Sequence, residues 1–369
     1  MLQTKLAKDL GLDVPLFAFT RSPEVVIEVS RAGGMGVLGA INLSAEQLDE
    51  ALALIDANIG GKPYGVDTVM PMNYAGRGQE ITEEALRAMI SPAHHQFVAS
   101  LLEQHGVPAL PDDFQRAGED LLGWSVERGK EHVEVALKYP IKLIANALGT
   151  PPPEVVDQAH AHGVKVAALC GKVKQAVRHK EAGLDIIVAQ GTEAGGHTGE
   201  VAGMVLTPEV VDAVGDTPVL HAGGIGSGRQ MAAALALGAQ GVWTGSIWLA
   251  TAEHQSYNPD IVNRKLLAAK STDTVRSRAI SGKPARQLKT AWTEAWESKD
   301  SPGYLPIPLM WMVQAEAVER IYHHGNEALA GSPVGQIVGR MNEVKPTAEV
   351  VADIVRECRE RLTLLGSLA

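Results

Sequence analysis

Ala182-Gly183-Leu184-Asp185-Ile186-Ile187-Val188-Ala189-Gln190-Gly191 is the stretch on which the reading of the fold turns. Gly183 follows a charged, helix-forming run and supplies the left-handed position that ends a helix. The residues after it are apolar without alternation, as in a parallel strand covered on both faces. Gln190-Gly191 then opens a polar, glycine-rich loop. The same succession recurs at Ala32–Gly39, His162–Leu169 and Leu237–Thr244. Strand and helix alternating in this way describe crossover units on a parallel sheet.

Working outward, eight strands are expected, near 14–19, 35–40, 64–69, 142–147, 164–169, 185–190, 218–222 and 241–245. Eight strands close a barrel, so the expected fold is α/β, a (β/α)8 TIM barrel. An open doubly wound sheet would more often carry a glycine-rich dinucleotide fingerprint after its first strand. Here the first strand runs into Phe19-Thr20-Arg21-Ser22-Pro23, and the glycine-rich loops come late. Residues 1–70 and 139–250 are assigned to the barrel. Residues 71–138, with helices around 82–106 and 112–137, read as a helical insertion after the third strand and a candidate lid. Residues 251–369 carry a Pro-rich turn at Tyr304–Pro308 and a terminal amphipathic helix from about Pro346 to Leu365, packed on the barrel.

The chain has 369 residues, enough for a barrel of about 250 with a third of the length left for insertions. A net charge of −10 argues against nucleic-acid or anionic-membrane partners, so an anionic ligand needs a local site. Cys170 and Cys358 are far apart and in no metal spacing, as in a reduced cytoplasmic protein. No signal-like or membrane-spanning apolar run is evident, no metal cluster stands out, and nothing fixes an oligomeric state.

The richest chemistry follows the sixth strand, in Gln190-Gly191-Thr192-Glu193-Ala194-Gly195-Gly196-His197-Thr198-Gly199. Its glycines let backbone approach a flat ligand closely, and His197 can exchange protons near neutrality. Two further loops follow the seventh and eighth strands: His221-Ala222-Gly223-Gly224-Ile225-Gly226-Ser227, with Ser227 read as a helix N-cap, and Trp243-Thr244-Gly245-Ser246. Loops in these places form the recurrent phosphate site of TIM barrels. The residues alone thus point to a phosphate-bearing ligand beside a histidine. Trp243, Trp248, Met310 and Met312 read as packing residues, and Cys170 as an inert buried thiol. Arg276, Arg278 and Lys283 form a small basic cluster after the barrel.

Gln190–His197 together with Ala222–Ile225 resembles the nitronate monooxygenase family, and FMN-barrel enoyl-ACP reductases and NAD(P)H:quinone reductases are similar. Gly65-Val66-Asp67, Gly149-Thr150-Pro151 and Gly282-Lys283-Pro284-Ala285-Arg286 extend the resemblance over most of the chain. It implies FMN as cofactor, with contacts at Ala18, Phe19, Asp67, Gln190, Gly195, Gly196, Gly223, Gly224, Thr244, Gly245 and Ser246, and His197 as the proton-transfer residue. It also implies a small-molecule substrate: an alkyl nitronate oxidised with O2, or a quinone or enoyl thioester reduced at the expense of NAD(P)H. Asp67 stands where the family usually has asparagine; if ionised, it would lower the flavin's potential. A flavin-free aldolase or epimerase is the rival enzyme, but no lysine stands at a strand end for a Schiff base. A non-catalytic binding barrel is the rival of another class.

Overall fold

The computed structural model describes residues 2–72, 75, 82–114, 125–255 and 258–368. A short helix, α1 (Lys5–Asp9), precedes a closed parallel barrel of eight strands. Around the barrel run β1 (Leu16–Thr20), β2 (Met35–Gly39), β3 (Tyr64–Thr68), β4 (Leu143–Asn146), β5 (Lys165–Cys170), β6 (Ile186–Gln190), β8 (Val219–Ala222) and β9 (Gly241–Thr244). β7 (Gly196–His197) lies in the loop between β6 and β8, outside the barrel. Ring closure is made by β9 on β1, with Leu16, Phe17 and Ala18 opposite Val242, Trp243 and Thr244.

Strand residues alternate between two environments. Phe17, Met35, Val37, Leu143, Ala145, Ala167, Ile186, Val188, Leu220, Ala222 and Trp243 fill the interior. Their neighbours pack outward on the helices α2 (Pro23–Arg31) and α3 (Ala45–Asn58), and on further helices around the ring. Leu6, Ala7, Leu10 and Leu12, from α1 and the turn after it, join the interior cluster. Thr4 donates to the Gln240 carbonyl, and the Leu6 N–H donates to the Gln240 side chain. The N-terminal end of the barrel is therefore plugged, and only the opposite end can admit a ligand.

Past β3 lie α4 (Glu83–Ala88) and α5 (Pro92–Gln104), then α6 (Val126–Ala136). α6 packs on α3 and β3, the place of an ordinary barrel helix, so only the part before it is extra to the repeat. Of the helix expected over 112–137, Val126–Ala136 is helical, Pro111–Phe114 is a turn, and 115–124 lies outside the described residues. The ring continues with α7 (Pro153–Ala161), α8 (Val173–Glu181), α9 (Gly203–Val214) and α10 (Gly228–Ala236).

After β9 come α11 (Asp260–Ala268), the antiparallel pair β10 (Thr274–Ser277) and β11 (Ala285–Leu288), then α12 (Ala291–Trp296), α13 (Leu309–His323) and α14 (Thr347–Gly366). α13 packs on α4 and α5, and α14 on α10 and α2. Phe97 meets Trp296 edge-on at 4.8 Å, bolting α5 to α12. The extra helices after β3 are thus joined to the C-terminal segment. Met310 and Met312 are core residues, as their spacing implied.

Candidate active site at the open end of the barrel

β6 ends at Gln190, and its loop is tied back onto the barrel by its own polar groups. Ala194 N–H donates to the Gly191 carbonyl at 3.1 Å, and Thr198 Oγ1 donates to the same carbonyl at 2.7 Å. Arg286, buried on β11, donates from Nε to the Thr192 carbonyl at 2.7 Å. β7 then adds to the antiparallel pair, with Gly196 opposite Arg286 and His197 opposite Ala285. His197 is positioned by a sheet made from residues nearly ninety positions later in the chain.

The His197 ring meets the buried Ser281 hydroxyl through Nε2 at 2.6 Å. Burial, and then the nearby Lys283 charge, lower its pKa to about 4. At neutral pH the imidazole is uncharged and keeps one unprotonated nitrogen, so it can accept a proton.

The loop after β8 turns through Gly223 (φ 99°) and Gly224 (φ 71°). A Cβ on Gly223 would come within 3.0 Å of the Ala194 amide nitrogen, which packs this turn against the His197 loop. Gly245 and Ser246 follow β9, and Ser246 Oγ accepts the Gly335 N–H at 2.8 Å. The Gln336 N–H donates to the Glu193 carbonyl. All three glycine loops and His197 therefore stand at one end of the barrel, the unplugged one. Gly335 and Gln336 had not been singled out in the sequence; the Gly-Gln pair following Pro333-Val334 was the available signal.

Other expected contacts divide by the direction of their side chains. Asp67 lies on the inward row of β3, opposite Gly39 and Ala145, and Gln190 lies opposite the inward Ala222. Neither side chain has a hydrogen-bond partner among the described residues. Burial raises the Asp67 pKa to about 8. The carboxyl is therefore protonated at pH 7, so an ionised Asp67 beside the ligand is not what the fold provides. Phe19 also packs on the inward row. Ala18 and Thr244 point their side chains elsewhere: Ala18 packs outward among helix residues. The Thr244 hydroxyl donates to the Phe17 carbonyl at 2.9 Å and receives the Trp248 indole N–H at 3.0 Å. Only the main chain of these two residues can face the open end.

The N-terminus of α10 departs from expectation as well. Ser227 occupies the N-cap, but its hydroxyl donates to Gln230 Oε1 rather than accepting a backbone N–H. The helix end is covered by Glu357 of α14, which accepts from Arg229 N–H and Nε. The α10 terminus is therefore already occupied by a carboxylate of the chain itself. Trp243 faces the interior and stacks on Phe17, while Trp248 is fully buried. Burial pushes the Cys170 thiol up to about 12, leaving it unreactive. A cavity of about 360 Å3 is lined by Glu193, Met204, His221, Gly223, Gly224 and Arg340 among others.

A model of the family described as nitronate monooxygenase matches residues 14–357. The chain belongs to the nitronate monooxygenase family. These are flavin-dependent oxidoreductases, and the chain is accordingly an enzyme of that type. Rv1533 of Mycobacterium tuberculosis, whose name places it among monooxygenases, is 48% identical over 96% of both chains. A Staphylococcus aureus protein named for nitronate monooxygenase activity is 26% identical over 97% of this chain and 98% of its own. Two solved structures share the fold. Nitroalkane oxidase from Streptomyces ansochromogenes has a TM-score of 0.79 at 24% identity, over 98% of this chain and all of its own. FabK from Thermotoga maritima has a TM-score of 0.74 at 24% identity, over the whole of both chains. The expected family and barrel are thereby borne out. Among the described residues, no helix is long and apolar enough to cross a membrane, and no cluster of His, Cys, Asp and Glu is suited to a metal ion.

Proposed function

We propose that this enzyme binds FMN at the open end of the barrel and oxidises alkyl nitronates with O2. The observation that carries the reading is the convergence of the Gly195-Gly196, Gly223-Gly224 and Gly245-Ser246 loops with His197 at the unplugged end. The residues fit the cofactor. Left-handed Gly223 and Gly224 leave a side-chain-free turn whose amides can meet a phosphate. Asp67 and Gln190 offer an acid O–H and an amide toward the interior, where a flat ring could use them. FMN, when bound, supplies the redox chemistry. The chain supplies the rest: loop amides hold the phosphate, Ser281 orients His197, and the neutral imidazole accepts a proton from a substrate still carrying one.

An absorption spectrum of the purified protein, followed by anaerobic titration, tests this. A flavin spectrum bleached by propionate 3-nitronate, with colour returning on exposure to air, is the expected result. Rapid bleaching by NADPH and none by the nitronate would instead assign reduction of a quinone or enoyl thioester. Gly224→Asp tests the phosphate placement. A Cβ there would only touch the Glu193 side chain at 3.6 Å, and Asp tolerates left-handed backbone better than most residues, so the fold should survive. The new carboxylate would repel the phosphate, and the variant should purify colourless; a fully yellow variant would overturn the placement.

A further inference from the structure

Lys283 is held beside His197 from both directions along the chain. Gly282, just before it, has φ 76°, and a Cβ there would fall on the Leu305 carbonyl, so the turn is fixed. Two residues later, Ala285 pairs with His197, and the Thr198 N–H donates to the Pro284 carbonyl at 3.3 Å. The Lys283 N–H also points to Ser281 Oγ, the hydroxyl that orients the His197 ring.

The ammonium group is half-buried, and its desolvation favours the neutral amine. Its charge also acts directly on the His197 ring. Among the described residues, no carboxylate meets it. The neighbouring cations of the same sheet are matched: Arg286 donates to Thr192 and Thr274, and Arg276 to the Thr198 carbonyl and Glu200. The nearby acids are also engaged, Glu193 with the Gly203 N–H and Glu297 with Ser277. Among the described residues, the Lys283 ammonium thus stands at the open end of the barrel, acting on the His197 ring, with no acid paired to it. A desolvated ammonium without a counter-charge is costly, and an anionic ligand would remove that cost. In a chain of net charge −10, such a spot is a local exception to the overall field.

We infer that Lys283 forms a subsite for a small oxyanion group, of nitronate or carboxylate size, and holds it against the His197–Ser281 pair. The proposed function supplies only the identity of the natural occupant; the anion site stands on the residues themselves. Lys283 is then a specificity-determining residue, fixing which end of the substrate lies beside the imidazole.

Calorimetric titration of the purified protein with nitrate, a planar oxyanion, tests the subsite whether or not flavin is present. Wild type should bind nitrate, and Lys283→Met should raise Kd on the order of tenfold or more, the loss expected of one charge-assisted contact. Lys283→Arg, which keeps the charge, should restore most of the affinity, with unchanged circular dichroism throughout. Should the Met variant fail to fold, Lys283→Gln takes its place. Wild-type protein without nitrate binding, or a neutral variant binding as well as wild type, overturns the inference. A colourless protein with Lys283-dependent nitrate binding would keep the subsite and end the flavin reading. A yellow, nitronate-oxidising enzyme whose nitrate affinity ignores Lys283 would do the reverse.

Discussion

His197 is a weak base by design of its surroundings: burial and the Lys283 charge depress its pKa to about 4, and Ser281 fixes its orientation. Such a group is uncharged at neutral pH, with one ring nitrogen unprotonated, and can accept a proton from a substrate pressed against it. His197→Asn keeps a polar, hydrogen-bonding side chain and removes the basic ring nitrogen. The variant should stay yellow and lose on the order of 100-fold in turnover of neutral nitroalkanes, which must give up a carbon proton. Preformed nitronates have already lost that proton and should suffer much less. Steady-state rates with matched nitroalkane and nitronate pairs check this, and equal losses on both would remove the base role. At this scale the sequence was legible where glycine and histidine mark a loop, and silent where a contact spans the chain. Ser281 reaches His197 across 84 positions, and no local pattern announces such a pair. The outward side chains of Ala18 and Thr244 were not legible, because a strand end says which residues are near the opening, whereas the pleat decides which side chains face it.

The elements around the barrel are joined by close backbone contacts, and α10 on α14 is one of them. A Cβ on Gly228 would fall on Cys358 N and Ile354 O, so the two helices meet with no room for a methyl group. Ala would favour the helix by about 0.5–1 kcal/mol, but forced overpacking typically costs about 1–3 kcal/mol, so the clash should win. Gly228→Ala should lower the thermal midpoint and leave the colour of the folded enzyme unchanged. An unchanged or raised midpoint would show that the helices can part freely. The barrel strands were legible because buried parallel strands are short apolar runs between glycine turns. Observed β1 starts at Leu16 rather than 14, since its pairing with β9 begins only after Pro15, whose carbonyl receives the Val242 N–H. β10 and β11 were not legible. They are four-residue strands, Thr-Val-Arg-Ser and Ala-Arg-Gln-Leu, without the apolar run that betrays a barrel strand.

Across the whole molecule, buried titratable groups pull stability in opposite directions with pH. Burial lowers His197 and His254 to about 4 from 6.5, and raises Asp67 to about 8 from 3.8. Between about pH 4 and 6.5 the unfolded chain binds two protons at these histidines that the fold refuses, while the fold keeps one at Asp67 that the unfolded chain releases. Stability rises with pH wherever the unfolded chain binds more protons, so it climbs through this window. His179 and His221, also lowered by burial, steepen the climb. Above about 6.5 the histidines are neutral in both states and drop out. Asp67 alone remains, protonated only in the fold, so stability declines as pH approaches 8. Urea unfolding of ligand-stripped protein at pH 5, 6.5 and 8 should therefore give its highest midpoint at 6.5. Asp67→Asn is nearly isosteric and cannot ionise, so its midpoint should stay level from 6.5 to 8 while the acid limb is retained. A wild-type midpoint that keeps rising to pH 8, or the same decline in Asp67→Asn, would mean that the carboxyl facing the barrel interior ionises freely. The proposed role of Asp67 as a protonated donor toward a bound flavin would then be lost.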